Sequence, residues 1–404
     1  MASRGARPTI PPAILAGGVA AALALVVVLV IAAPRVSPPP TDASATPGGG
    51  SITSSAVASS PPRSPAASVL EPTPEPPVAT VVSATTQVIE GPLGKRMGPT
   101  VVWTGAEAII WGGWPETPRE GISPPAEGAA YDPATGAWRM LPDSPIRGLS
   151  DHLSVWTGGE MLVWGGYTQI RPKPPSVGAA YNPKSGRWRT LAPGPMRWAS
   201  GATSVWAEAE WVIAIARDQT DGIQVAAYDP RRDSWRELPR VPGSLSEENE
   251  LVWTGSELLL MNSSAGMYRL AQGAEAWSKA DVSSERVGRQ VVWTGDRLFG
   301  LASNYPAEPS FVAWDSASDA WSELPVPEPF THSGLFWTGD RLLLVEVALA
   351  FEPSSSTWTK LVPGSGFDPY EGVQVWAGDR LLALGGSQYH ADGRPFGRAW
   401  IPEW

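Results

Sequence analysis

Only three histidines occur in the chain, His152, His332 and His390, and there is no cysteine. Histidine titrates nearest neutrality and is the commonest metal ligand, so these residues are the first place to look for chemistry. Two of them belong to a pattern. Positions four and five ahead of a recurring tryptophan include Asp151, His152, Glu248, Asn249, Arg289, His332 and Glu371. Acids, bases and imidazoles at one structural position would line one common opening. A second group mixes aromatics with forked and amide donors. It comprises Trp114, Glu116, Arg119 and Glu120, then Tyr167, Gln169, Arg171 and Lys173, then Gln388, Tyr389, His390, Asp392 and Arg394. Such a mixture cradles a sugar or a peptide. No two histidines are spaced as metal ligands, and no pair of carboxylates is spaced as acid and base. Neither a metal nor a cofactor is therefore expected, and no catalytic residue is assigned.

These residues are positioned by a repeat. The segment Val101-Val102-Trp103-Thr104-Gly105 returns around Trp156, Trp206, Trp253, Trp293, Trp337 and Trp376, at spacings of 39 to 53 residues. A period of that length points to repeated four-stranded units. About 25 residues after each anchor comes a second signature. It reads Tyr131-Asp132-Pro133-Ala134-Thr135-Gly136-Ala137-Trp138 in the first unit and Tyr181-Asn182-Pro183-Lys184-Ser185-Gly186-Arg187-Trp188 in the second. The third has Tyr228-Asp229-Pro230 and Trp235. Looser copies follow: Tyr268 to Trp277, Trp314-Asp315 to Trp321, and Phe351-Glu352-Pro353 to Trp358. Asp-Pro followed by Thr-Gly or Ser-Gly is turn chemistry, so each signature predicts a tight hairpin.

Between the two signatures runs an apolar stretch that ends, in three copies, in a diglycine: Gly112-Gly113, Gly165-Gly166 and Gly385-Gly386. An apolar strand, a diglycine, a tyrosine and a spaced tryptophan resemble the kelch repeat, over about residues 82–404. The resemblance implies a seven-bladed β-propeller, like the kelch family and the central domain of galactose oxidase. It leaves function open, because kelch domains include binding proteins and a few enzymes. Galactose oxidase uses a Tyr–Cys cofactor that this cysteine-free chain cannot form. Sialidase propellers carry Ser-x-Asp-x-Gly-x-Thr-Trp boxes, which Ser185-Gly186-Arg187-Trp188 only brushes.

After Gly386 the chain offers a third strand for blade seven but no fourth. Counting back from Trp103 by the steps seen in blade two places Val88 where Leu141 stands. Residues 84–89 are thus expected to close the ring as the outer strand of blade seven, removing an open sheet edge. In such a blade the Trp-Thr-Gly and Asp-Pro turns fall on one face. The long, irregular connections fall on the other, where function is expected. The aromatic group belongs to the loops of blades one, two and seven, which closure makes neighbours. The residues ahead of the tryptophans belong to the channel mouth.

The N-terminus has a different composition. Ala13 to Ala33 contains no charge and no proline, long enough to span a hydrocarbon core of about 30 Å. Arg4 and Arg7 precede it, which keeps residues 1–12 in the cytoplasm and makes 13–33 a signal anchor. Residues 34–81, rich in Pro, Ser, Ala and Thr, read as a spacer without enough apolar surface to fold. Beyond residue 35 the chain has 27 basic and 40 acidic residues, which argues against nucleic acid as a partner. The expectation is a membrane-anchored, extracytoplasmic propeller that binds carbohydrate or protein on its long-loop face. A carbohydrate-active enzyme, an epimerase, mutarotase or hydrolase, is the alternative.

Overall fold

A computed structural model of the protein describes residues 78–115, 123–168, 170, 176–197, 201–216, 222–243, 249–262, 266–280, 287–302, 310–330, 334–363, 372–386 and 396–404. Among these residues every regular element is a β-strand. Blade one shows the plan. Thr100–Trp103, Ala108–Trp111, Gly128–Asp132 and Ala137–Met140 form a sheet in which each strand pairs antiparallel with the next. Four further sheets repeat that order, and two more are fused into a single eight-stranded sheet. The innermost strands after Thr100–Trp103 are Leu153–Trp156, Thr203–Ala207, Asn249–Trp253, Val287–Trp293, Leu335–Trp337 and Val373–Trp376. Each lies beside the next, and the last returns to the first.

The core follows the same plan. It is divided into seven apolar clusters, each sandwiched between consecutive blades. One joins Leu162 and Trp164 of blade two to Trp211, Ile213 and Tyr228 of blade three. Another joins Val375 and Leu382 of blade seven to Val101 and Ile110 of blade one. A single four-stranded sheet cannot cover both of its faces, so each blade uses its two neighbours as its core. The fold is all-β and propeller-like.

The repeated motifs are turn codes. In Trp-Thr-Gly, the Thr104 hydroxyl accepts from the Glu107 amide at 2.9 Å and donates to the Glu107 carbonyl at 3.0 Å. Thr157, Thr254 and Thr338 repeat both contacts. The glycine that follows Thr104 takes φ 95°, a left-handed value that favours glycine. In the second motif Asp132 accepts from the Ala134 amide and the Thr135 hydroxyl, an Asx turn that fixes the hairpin.

The closing strand is β1 (Val78–Ile89). Residues 84–89 pair antiparallel with Gly397–Pro402 of blade seven, as expected. Two details differ from the sequence reading. First, β1 begins at Val78, ahead of the boundary at residue 82. Its first half runs parallel to the outer strand of blade six, from Val78 beside Trp358 to Ala84 beside Pro363. The β-branched residues Val78, Thr80, Val81 and Val82 suit that ladder. One strand therefore staples blades six and seven together. Second, Thr86 faces Trp400 as Trp138 faces Tyr131, so Ile89 and not Val88 is the counterpart of Leu141. Ile89 and Leu141 are buried, whereas Val88 and Met140 are 53% and 48% exposed. A slip of one residue exchanges the faces of a strand. The count from Trp103 erred because the connection into blade one is one residue shorter.

Candidate functional site

At the junction of blades seven, one and two, the channel-mouth residues are built into the frame. His152 is 1% exposed. Its Nε2 lies 2.7 Å from the Thr100 hydroxyl, and its ring stands edge-on to Trp111 with centroids 5.0 Å apart. Burial drives its pKa down to about 3, against a smaller upward pull from the Leu149 carbonyl. The imidazole is thus neutral at physiological pH. Its position explains one diglycine: a Cβ on Gly112 would lie 2.5 Å from the Leu149 carbonyl and 2.8 Å from His152 Cε1.

Beside it, Asp151 takes φ 50° and donates its amide to the Gly98 carbonyl at 2.8 Å. Burial holds its carboxyl above the usual range, more than contact with Ser150 lowers it. Arg96, 7% exposed, reaches Glu127 at 2.6 Å and the Gly112 carbonyl at 3.4 Å, and its own amide bonds Gly385. Sequence reading did not single out Arg96. Trp114 pairs with Met97 and is only 8% exposed, so its ring packs inside the rim instead of standing out from it. Tyr167, 36% exposed, exchanges backbone bonds with Ser150. Arg289 falls in the innermost strand of blade five. Glu116, Arg119, Gln169, Arg171, Gln388, Tyr389, His390, Asp392 and Arg394 lie outside the described residues, as do Glu248, His332 and Glu371. Among the described residues no cluster of three His, Cys, Asp or Glu could hold a metal ion.

On the opposite, short-turn side the blades are tied by a repeated clamp. Arg139 of blade one bonds Glu107 of its own blade at 2.8 Å and donates to the Tyr181 hydroxyl of blade two at 2.7 Å. Arg189 of blade two does the same with Glu160 at 2.7 Å and Tyr228 of blade three at 2.9 Å. Desolvation and the hydrogen bond to Asp233 raise the Tyr228 pKa, although Arg189 opposes both. The phenol therefore stays protonated, and donates to Asp233 at 2.6 Å. Arg236 of blade three continues the series, with Nε and Nη2 on Glu210 at 2.9 and 2.5 Å.

At the next blade the series breaks. Tyr131, Tyr181 and Tyr228 sit opposite Ala108, Met161 and Trp211. The residue of blade four in that register is Leu270, opposite Leu258. The sequence reading aligned Tyr268 there, two residues away, because it matched residue type and not register. No tyrosine hydroxyl meets Arg236 among the described residues. A cleft of about 680 Å³ opens in its place, with Leu258, Leu270 and Trp253 at its apolar side and Arg236 and Glu210 at its rim. The hairpins at Asp229–Arg232 and Gln272–Ala274 flank it. The visible signal was the run of Trp-Arg pairs, Trp138-Arg139, Trp188-Arg189 and Trp235-Arg236, each arginine needing a partner.

No protein-family model matches the chain, and no curated protein matches it either.

Proposed function

We propose that the chain is a kelch-type propeller carried outside the membrane by a helix at residues 13–33, and that it is a binding module for a protein or carbohydrate ligand. What supports this reading is where the chain ends meet the ring. Val78 lies beside Trp358, just past the hairpin of blade six. Trp404 lies over Arg341, in the Trp-Thr-Gly turn of the same blade, 4.5 Å from its guanidinium. Both therefore sit on the short-turn face, whereas Trp114 and Tyr167 sit on the other. A spacer of residues 34–77 reaches about 40 Å as a coil and would hold the short-turn face toward the membrane, leaving the long loops outward. Among the described residues no helix is long and apolar enough to cross a membrane; residues 13–33 are not among them.

The test is a screen of glycans and cell-wall fragments with the full chain in nanodiscs, beside a Tyr167→Ala, Arg171→Ala variant. A ligand that the variant loses supports the reading. Ligands bound equally by both would remove the long-loop face from consideration. One observation favours the enzymatic alternative: burial at the mouth raises the pKa of the Asp151 carboxyl, the direction in which a general acid is tuned. Conversion of a bound sugar that Asp151→Asn abolishes would establish that alternative instead.

A further inference from the structure

We propose that the cleft between blades three and four binds the phenol of a tyrosine side chain presented by a partner protein. The proposal rests on the register of the blades and is independent of the long-loop reading. Two filled copies of the site are present in the same molecule. Tyr181 and Tyr228 each bring a fully buried ring to the seam between blades and give their hydroxyl to an arginine already bound by a glutamate. At the third seam the arginine and glutamate persist as Arg236 and Glu210, but Leu270 is too short to reach them. In Arg139 and Arg189 it is Nη1 that meets the hydroxyl. In Arg236, Nε and Nη2 are taken by Glu210, and the residue lines the cleft.

The chemistry of the occupant follows from the lining. Apolar side chains on one wall accept an aromatic ring, and the guanidinium donates to its para oxygen. The positive groups at the rim are balanced. Arg232 is held by Asp229 at 2.6 Å and Arg236 by Glu210, and Arg231 is set against Glu208 and Glu237. A neutral phenol fits that balance better than a phosphorylated one. The volume exceeds a single ring and leaves room for flanking peptide. The chain's own N-terminal segment does not supply the ring, since no tyrosine precedes Tyr131.

The probes are 4-methylphenol, toluene and 4-methylphenyl phosphate, titrated against the full chain by saturation-transfer NMR. The phenol is expected to bind about fivefold or more tightly than toluene, the worth of one net hydrogen bond. In Arg236→Gln, an exposed substitution, that preference disappears. Leu270→Tyr fills the cleft from within, abolishes binding of both and raises the melting temperature, whereas Leu270→Phe excludes the ring without restoring the hydroxyl contact. Equal binding of phenol and toluene would overturn the proposal, as would a preference that Arg236→Gln leaves intact. Tightest binding by the phosphate would replace a tyrosine partner with a phosphotyrosine one.

Discussion

His152 and Arg139 carry the contrast between what residue types announce and what they do. A histidine at a channel mouth invites a catalytic reading from sequence, yet its surroundings make it a neutral framework residue. Burial is a property of tertiary contact, and nothing local to Asp151-His152 foretells that Gly112 of the preceding blade will press against the ring. The arginine clamp was legible in part: the Trp-Arg pairs were visible, their tyrosine partners one blade away were not. The pH dependence of stability tests the His152 environment. Its folded pKa of about 3 lies below the ordinary value of 6.5, so the unfolded chain takes up a proton first. Stability is therefore complete above about pH 6.5 and falls as pH drops toward 3, by up to about 1.4 kcal/mol per pH unit. Asp151 acts in the opposite sense, because its raised pKa favours the folded state in acid. Denaturation at pH 7 and pH 5 should show this slope in the native chain and a shallower one in His152→Gln. An unchanged slope in the variant would mean that the imidazole is not buried as described.

Strand order and turn chemistry were the most legible part of the molecule, since Trp-Thr-Gly and Asp-Pro turns are written in consecutive residues. Register was harder. Val88 was placed for Ile89 where a connection is one residue shorter than its counterpart, and Tyr268 for Leu270 where residue type was followed instead of register. The parallel half of β1 could not be counted at all, because no other blade has an equivalent strand. It leads to an element-level expectation. Deleting residues 78–89 removes ladders to two blades and uncovers the apolar seams that contain Ala84 and Ile89. Deleting residues 36–60 removes no described strand. The first deletion should lower the melting temperature by about 10 °C or more or prevent folding, the second by no more than about a degree or two, given that each kcal/mol moves a domain of about 150–250 residues by about 2–4 °C and a larger one by less. Similar melting temperatures for the two would show that β1 is not a structural strand.

For the whole molecule the organising fact is closure. Seven seams replace a single core, so each blade depends on both neighbours, and β1 completes blade seven by pairing with Gly397–Pro402 and placing Ile89 in the seam with blade one. The assignment of faces and the side on which Val78 enters both depend on that ring. Absence of cysteine from the chain makes a direct measurement clean. Val88 and Arg398 are cross-strand partners, whereas Gln87 and Arg398 are one residue out of register and point to opposite faces. Directly opposed positions suit a disulfide and offset ones do not. The native register predicts that Val88→Cys, Arg398→Cys forms an intramolecular disulfide under mild oxidation, that Gln87→Cys, Arg398→Cys does not, and that the cross-link raises the melting temperature reversibly with reduction. Failure of the first pair to cross-link, or equal cross-linking of both, would contradict a ring closed by β1.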